Sequence, residues 1–239
     1  MSIPRWPRAA AWLIHLYTAC GAVVALLALA AAIGGDLRGA FLWLALALFI
    51  DSTDGTLARR YRVKQVVPQF DGARLDDIVD YLAYAFVPIA IAYHGGVLPG
   101  GLAGLAVAAA PLLASCYGFC RVDAKTTDHF FTGFPSYWNV VVLYFFLLRT
   151  PPLVNGAILL GLSAMVFVPI RYAYPSRNPA GRRTTYTLAP IWSVVVTYLV
   201  LNLPETKPML AWASLFFPAY YIGLSLWLHF TTVSEPNRA

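Results

Sequence analysis

The run Asp51-Ser52-Thr53-Asp54-Gly55-Thr56-Leu57-Ala58-Arg59 is followed, after residues 60–71, by Gly72-Ala73-Arg74-Leu75-Asp76-Asp77-Ile78-Val79-Asp80. Six of the chain's eleven acidic residues fall between positions 51 and 80, so its acid chemistry is concentrated in this stretch. Apolar runs flank it on both sides, Phe41 to Ile50 and Tyr81 to Ala92. A carboxylate at the centre of a membrane helix costs about 2.5–3.5 kcal/mol on insertion scales. Four of them at helical spacing imply an offsetting interaction, and metal ions with a charged substrate supply one.

The rest of the chain sets the solvent. Hydrophobic residues make up 59% and charged residues 12% of the 239 positions, and mean hydropathy is +0.65. Soluble domains carry about 25% charged residues. This composition predicts an all-α polytopic membrane protein, a single integral membrane domain over 1–239 with no nucleic-acid partner. A crossing needs about 20 apolar residues. About eight such segments are readable, near 10–33, 39–58, 73–94, 100–120, 136–149, 153–172, 187–203 and 209–230. Gly34-Gly35, Gly95-Gly96, Pro99-Gly100, Pro151-Pro152, Pro204 and Pro208 punctuate them. The first apolar run exceeds the roughly 7–15 residues of a signal-peptide core, so it reads as a retained helix.

Charge sets the orientation. With the N-terminus in the cytoplasm, only Arg38, Arg149 and Lys207 of the seventeen Lys and Arg fall in outside loops. That bias predicts both termini inside and puts Asp51–Asp80 at the cytoplasmic ends of the second and third helices. Cys20, Cys116 and Cys120 lie within apolar segments and read as small buried residues.

Asp51, Asp54, Gly55 and Ala58 share one helical face, at i, i+3, i+4 and i+7. Asp76 and Asp80 share another, with Gly72 one turn before. Paired carboxylates suit hard divalent cations, and the small residues let a substrate approach the backbone. Arg59 is placed to grip a phosphate, so a metal-bridged diphosphate is the natural ligand. Acids merely paired with Arg59, Arg60, Arg62 and Arg74 at the membrane edge would not need this spacing. Asp77 points off the Asp76/Asp80 face and reads as a partner of Arg74. Asp71 precedes the third helix and suits its N-terminus. Asp76-Asp77-Ile78-Val79-Asp80 also spells the D-D-x-x-D of prenyl-diphosphate enzymes, but no second acidic motif of that form closes a later helix.

The pattern D-x-x-D-G-x-x-A-R…G-x-x-x-D-x-x-x-D, met here at Asp51, Asp54, Gly55, Ala58, Arg59, Gly72, Asp76 and Asp80, resembles the signature of the CDP-alcohol phosphotransferase family. The connection from Arg60 to Asp71 is longer than in most members and resembles the bacterial phosphatidylcholine synthase branch. So do Val63-Lys64, Pro68, Tyr81, Tyr84 and Val87-Pro88, the stretch from Asp123 to Asn139, and the eight-span layout. The likeness covers about 10–203, and the last span carries no signal of it. It implies a six-helix core over about 10–172, two additional helices over about 187–230, and an enzyme of the bacterial inner membrane. Asp51, Asp54 and Asp76 would hold two divalent ions, manganese or magnesium, and Asp80 would be the general base and a further metal ligand. Asp54, Gly55, Ala58, Arg59 and Gly72 would line the CDP site. The implied reaction joins CDP-diacylglycerol, drawn from membrane lipid, to choline with release of CMP. Family members often form homodimers.

The signature does not read the acceptor. Choline's quaternary ammonium is held by aromatic faces, and Tyr84, one turn beyond Asp80, is the first choice for a wall, with Tyr117 and Trp138 next. Tyr and Trp also gather at membrane interfaces whatever the ligand. The alternatives are a sister enzyme using serine, one joining CDP-choline to diacylglycerol, and a lipid-binding or transport protein without catalysis. The four aspartates speak against the last.

Overall fold

Within a bilayer the chain must satisfy its own backbone hydrogen bonds, and helices do so segment by segment. The computed structural model describes residues 8–123, 130–173, 181–205 and 207–233. Helices α1 (Arg8–Ile33) and α2 (Leu37–Arg60) form a hairpin turned at Gly34-Gly35. On α1, Gly21, Ala25, Ala28 and Ala32 are buried at three- and four-residue steps, a stripe of small residues that lets neighbouring helices come close. The Asp36 side chain accepts from the Gly39 N–H at 2.8 Å and caps α2. A short turn, α3 (Val63–Val66), leads to α4 (Gly72–Asp80), a wide turn over Tyr81–Phe86, and α5 (Val87–His94), which run on as one rod. In the wide turn the Val87 N–H reaches the Leu82 carbonyl, five residues back. Pro88 explains it, because proline brings no N–H and crowds the preceding turn.

Helix α6 (Gly101–Cys120), strand β1 (Phe130–Thr132), α7 (Trp138–Leu148), α8 (Pro152–Met165), strand β2 (Arg171–Ala173), α9 (Arg182–Leu201), α10 (Pro208–Ser214) and α11 (Phe216–Val233) complete the described chain. Five helical segments are long and apolar enough to cross a membrane: α1, α2, α6, α9 and the α10–α11 rod. Helices α7 and α8 are apolar but shorter. The chain is thus an all-α multi-pass membrane protein with one small addition that the apolar pattern does not announce. Strands β1 and β2 pair antiparallel, Phe131 opposite Tyr172. Helix α11 braces this ribbon: Ser225 Oγ accepts from the Ala173 N–H (3.1 Å), and the Tyr221 hydroxyl donates to the Ala173 carbonyl (3.1 Å).

Two polar knots hold the bundle. Trp138 is fully buried, and its indole N–H donates to Ser115 Oγ at 2.7 Å, joining α7 to α6. Trp192 Nε1 donates to the Tyr144 hydroxyl (3.0 Å), which also bonds Ser214 (2.9 Å), joining α7, α9 and α10. At one end of the bundle the connections lock together. Arg38 Nη2 donates to the Leu203 carbonyl (2.9 Å) and Arg149 Nη2 to the Pro204 carbonyl (3.0 Å). Asn155, fully buried, donates to the carbonyls of Val97 (2.8 Å) and Thr150 (3.1 Å). Replacing Asn155 with Ala strands two carbonyls and should destabilise the fold by about 2 kcal/mol. Unfolding in mixed dodecyl sulfate micelles measures this, and an unchanged midpoint would deny the knot its role.

The cysteines correct the sequence reading. Cys20, Cys116 and Cys120 are all free and exposed. In a bilayer the outer face of a helix is itself apolar, so a small thiol sits on it without cost, and an apolar run does not tell that face from the core.

Candidate active site

Helix α2 carries the chain away from the Arg38–Leu203 end, over 24 residues, about 1.5 Å for each. Its second half therefore lies toward the opposite end, where α4 begins. There the two acidic faces meet. One side-chain oxygen each from Asp51, Asp76 and Asp80 lies within 4.8 Å of the others. Tyr84, in the wide turn, donates its hydroxyl to Asp51 Oδ2 at 2.6 Å and fixes the rotamer of that carboxylate. Asp54 lies outside this tight group and is only 4% exposed, one turn further along α2. Three carboxylates so close repel one another unless a cation stands among them. An all-oxygen donor set is what magnesium or manganese takes, so the residues fit a divalent ion.

The other motif positions have neighbours of their own. The Arg59 side chain lies back over Gly55, its Nη1 3.1 Å from where a Cβ at Gly55 would stand. Its Nη2 donates to Thr56 Oγ1 at 3.1 Å. Ala58 is half-buried and packs against the cluster of Ala11, Ile14, Val63 and Val67. At Gly72 a neighbour from α1 stands close. A Cβ there would stand 2.7 Å from His15 Cε1. His15 is buried with its ring 4.5 Å from Phe70 and 5.8 Å from Trp12. Sequence reading gives His15 no role, since a lone histidine in an apolar helix carries no signal of a partner so distant in the chain.

Asp71 meets its expectation. It caps α4, its Oδ1 accepting from the N–H groups of Ala73 and Arg74, both at 3.2 Å. It also takes the ion pair expected of Asp77: Arg74 Nε lies 3.3 Å from Asp71 Oδ2. The cap residue stands where Arg74 can fold back to it, whereas Asp77 borders a cavity of about 180 Å³ with Arg121, Phe131 and Phe134.

Of the three aromatic positions singled out for the acceptor, only Tyr84 joins the carboxylates. The Trp138 ring is covered on all sides. Tyr117 packs on Phe167 at 4.8 Å and already carries a cation, the Arg121 guanidinium 5.6 Å from its ring centre. That guanidinium pairs with Asp123 at 2.6 Å, and the pair holds the Asp123 carboxyl below its ordinary value. Residues 124–129, with Lys125, Asp128 and His129, and residues 174–180, with Arg177, lie outside the described residues.

No protein-family model matches the chain. Characterised proteins do match it. The phosphatidylcholine synthase of Pseudomonas aeruginosa is 39% identical over 220 residues, 92% of this chain and 92% of that protein. That of Legionella pneumophila is 37% identical over 234 residues, 95% of this chain and 90% of the relative. The namesake in Borreliella burgdorferi is 32% identical over 231 residues, 95% and 97% of the two chains. Likeness at this level, end to end and around a site of converged carboxylates, establishes that the chain belongs to the phosphatidylcholine synthase family.

Proposed function

We propose that this protein transfers the phosphatidyl group of CDP-diacylglycerol to choline and releases CMP. The observation that carries the reading is the convergence of Asp51, Asp76 and Asp80 from two helices. The printed name of its relatives supplies the product. An alcohol is a weak nucleophile at neutral pH, so its proton needs a carboxylate within hydrogen-bond reach. Asp80 takes that proton as the choline oxygen attacks the phosphorus bearing the diacylglycerol. The bond from that phosphorus to the bridging oxygen breaks, and CMP leaves with the electron pair.

Asp51, Asp54, Asp76 and Asp80 would hold two divalent ions, manganese or magnesium. Bound there, the ions neutralise the diphosphate and stabilise the charge on the departing CMP. Arg59 reaches the diphosphate, and Gly55, Ala58 and Gly72 leave room for the nucleotide beside the helix backbone. Tyr84 orients Asp51. Together these groups hold the donor while the acceptor approaches, and such positioning removes much of the barrier.

The same reading places eight crossings in the bacterial inner membrane, both termini and the carboxylates on the cytoplasmic side. The whole chain acts as one domain, six helices as the core and two added after it. Helices α7 and α8, with the α4–α5 rod, supply the crossings beyond the five long segments. Dimerisation follows from the family alone.

The test is product formation in liposomes. Wild-type protein with CDP-diacylglycerol and manganese receives labelled choline, serine, glycerol phosphate or inositol phosphate, each separately. Labelled phosphatidylcholine from choline alone, abolished by a chelator, is the expected result. Product from another alcohol in place of choline would discard the acceptor. Release of no CMP with any of them would discard the enzyme.

A further inference from the structure

The last helix carries no motif of the reaction, yet it brings a tyrosine into a series of rings that begins beside Asp51. Tyr84, whose hydroxyl rests on Asp51, is the first of four neighbouring tyrosine rings. The Tyr84 and Tyr137 ring centres are 6.3 Å apart, Tyr137 and Tyr221 6.0 Å, and Tyr221 and Tyr172 6.5 Å. Those rings come from the wide turn, the loop before α7, helix α11 and strand β2. Tyr172 and Tyr221 are nearly parallel, at 24°, so they form a flat double wall, and the Tyr221 hydroxyl is anchored on the Ala173 carbonyl at 3.1 Å. With the Tyr84 and Tyr221 hydroxyls held by Asp51 and Ala173, what the cluster offers a ligand is its electron-rich ring faces.

The ligand class follows from chemistry. A quaternary ammonium has no N–H to donate, so hydrogen-bond acceptors do not single it out, whereas ring faces do. In choline the ammonium stands two carbons from the hydroxyl, so a hydroxyl at Asp80 sets the cation down near the first rings beyond the carboxylates. We propose that Tyr137 and Tyr221, backed by Tyr172, form the wall that takes the acceptor's quaternary ammonium, and that α11 thereby sets acceptor choice. This rests on the reading of the protein as a choline phosphatidyltransferase. It moves the ammonium contacts from Tyr117 and Trp138 to two residues on separate segments, one of them on the terminal helix.

The experiment uses full-length protein in detergent and liposomes, with Tyr221→Leu, Tyr221→Phe, Tyr137→Leu and Tyr137→Phe. Choline and CDP-diacylglycerol are titrated separately, and tetramethylammonium is added as a competitor against choline. Removing one ring face should raise the choline KM about tenfold, leave the CDP-diacylglycerol KM within twofold, and weaken tetramethylammonium inhibition in parallel. The Phe variants keep the face and should stay within about threefold of wild type. The unchanged donor KM certifies a folded site, and if one Leu variant fails to fold the other carries the test. An unchanged choline KM in a Leu variant that binds donor normally would overturn the wall. So would Phe and Leu variants that fall equally. Wild-type protein that makes no phosphatidylcholine overturns the underlying reading instead, and with it the wall; wild-type product with insensitive Leu variants overturns the wall alone.

Discussion

Asp80→Asn should lower turnover by about 10³-fold, within the range by which positioned acid–base groups accelerate reactions. The substitution keeps the shape of the side chain and removes its capacity to take a proton. Asp76→Asn is the informative companion. Asp76 belongs to the same group of oxygens within 4.8 Å, but its proposed work is holding a cation alone, whereas Asp80 is proposed to hold one and also to take the proton. A weakened metal site refills at higher concentration, so activity of the Asp76 variant should climb as manganese is raised. Activity of the Asp80 variant should stay far below wild type at every manganese concentration, because refilling the metal site does not replace the missing base. The check is single-turnover formation of phosphatidylcholine over a manganese series, with retained CDP binding as the measure of folding. Asp80→Asn that keeps a tenth of wild-type turnover, or that recovers fully with manganese, would remove Asp80 from its role.

Gly72→Val, with and without His15→Ala, addresses the second large effect. A side chain at position 72 meets His15 Cε1 at 2.7 Å, and that ring packs in a cluster of three with Trp12 and Phe70. To make room, the cluster repacks or α4 shifts. Overpacking of this kind costs about 1–3 kcal/mol, and a displacement of about 1 Å in the carboxylates α4 carries is worth about 10²-fold in rate. Two explanations of the glycine then separate. If its purpose is to let α1 and α4 close, His15→Ala makes room and the double variant regains most of the lost turnover. If the nucleotide itself needs the bare backbone, the double variant stays as poor as Gly72→Val and its KM for CDP-diacylglycerol stays high. Turnover and donor KM of the three variants decide between packing and ligand.

The acidic faces were legible because helical spacing is local: Asp51 with Asp54, and Asp76 with Asp80, need only their own turns to be placed. Asp71 was legible for the same reason, as a cap acts within three residues. What escaped the sequence was distant or outward. The ring of His15 against Gly72, and of Tyr221 against Tyr137, joins segments far apart in the chain through residues that occur in any membrane protein. The ribbon of Phe130–Thr132 and Arg171–Ala173 is three residues on each side, too short for an alternating pattern. The exposed cysteines show a further limit, since hydropathy does not separate a face turned to lipid from one turned to protein. Trp138 is covered within the bundle, its indole N–H on Ser115, a placement that no local pattern encodes.

The wide turn at Tyr81–Phe86 holds one residue more per turn than an α-helix. An added residue advances the azimuth of everything beyond it by about 100°. The lower half of this rod, bearing Asp76 and Asp80, and the upper half, whose Val87, Ile89 and Ile91 lie in the core, are therefore set to independent angles. Selection could tune the grip of the upper half on its neighbours without rotating the carboxylates, and turn the carboxylates without unpacking the bundle. The turn works as a phase coupling between anchoring and chemistry, and Tyr84 sits on the coupling itself.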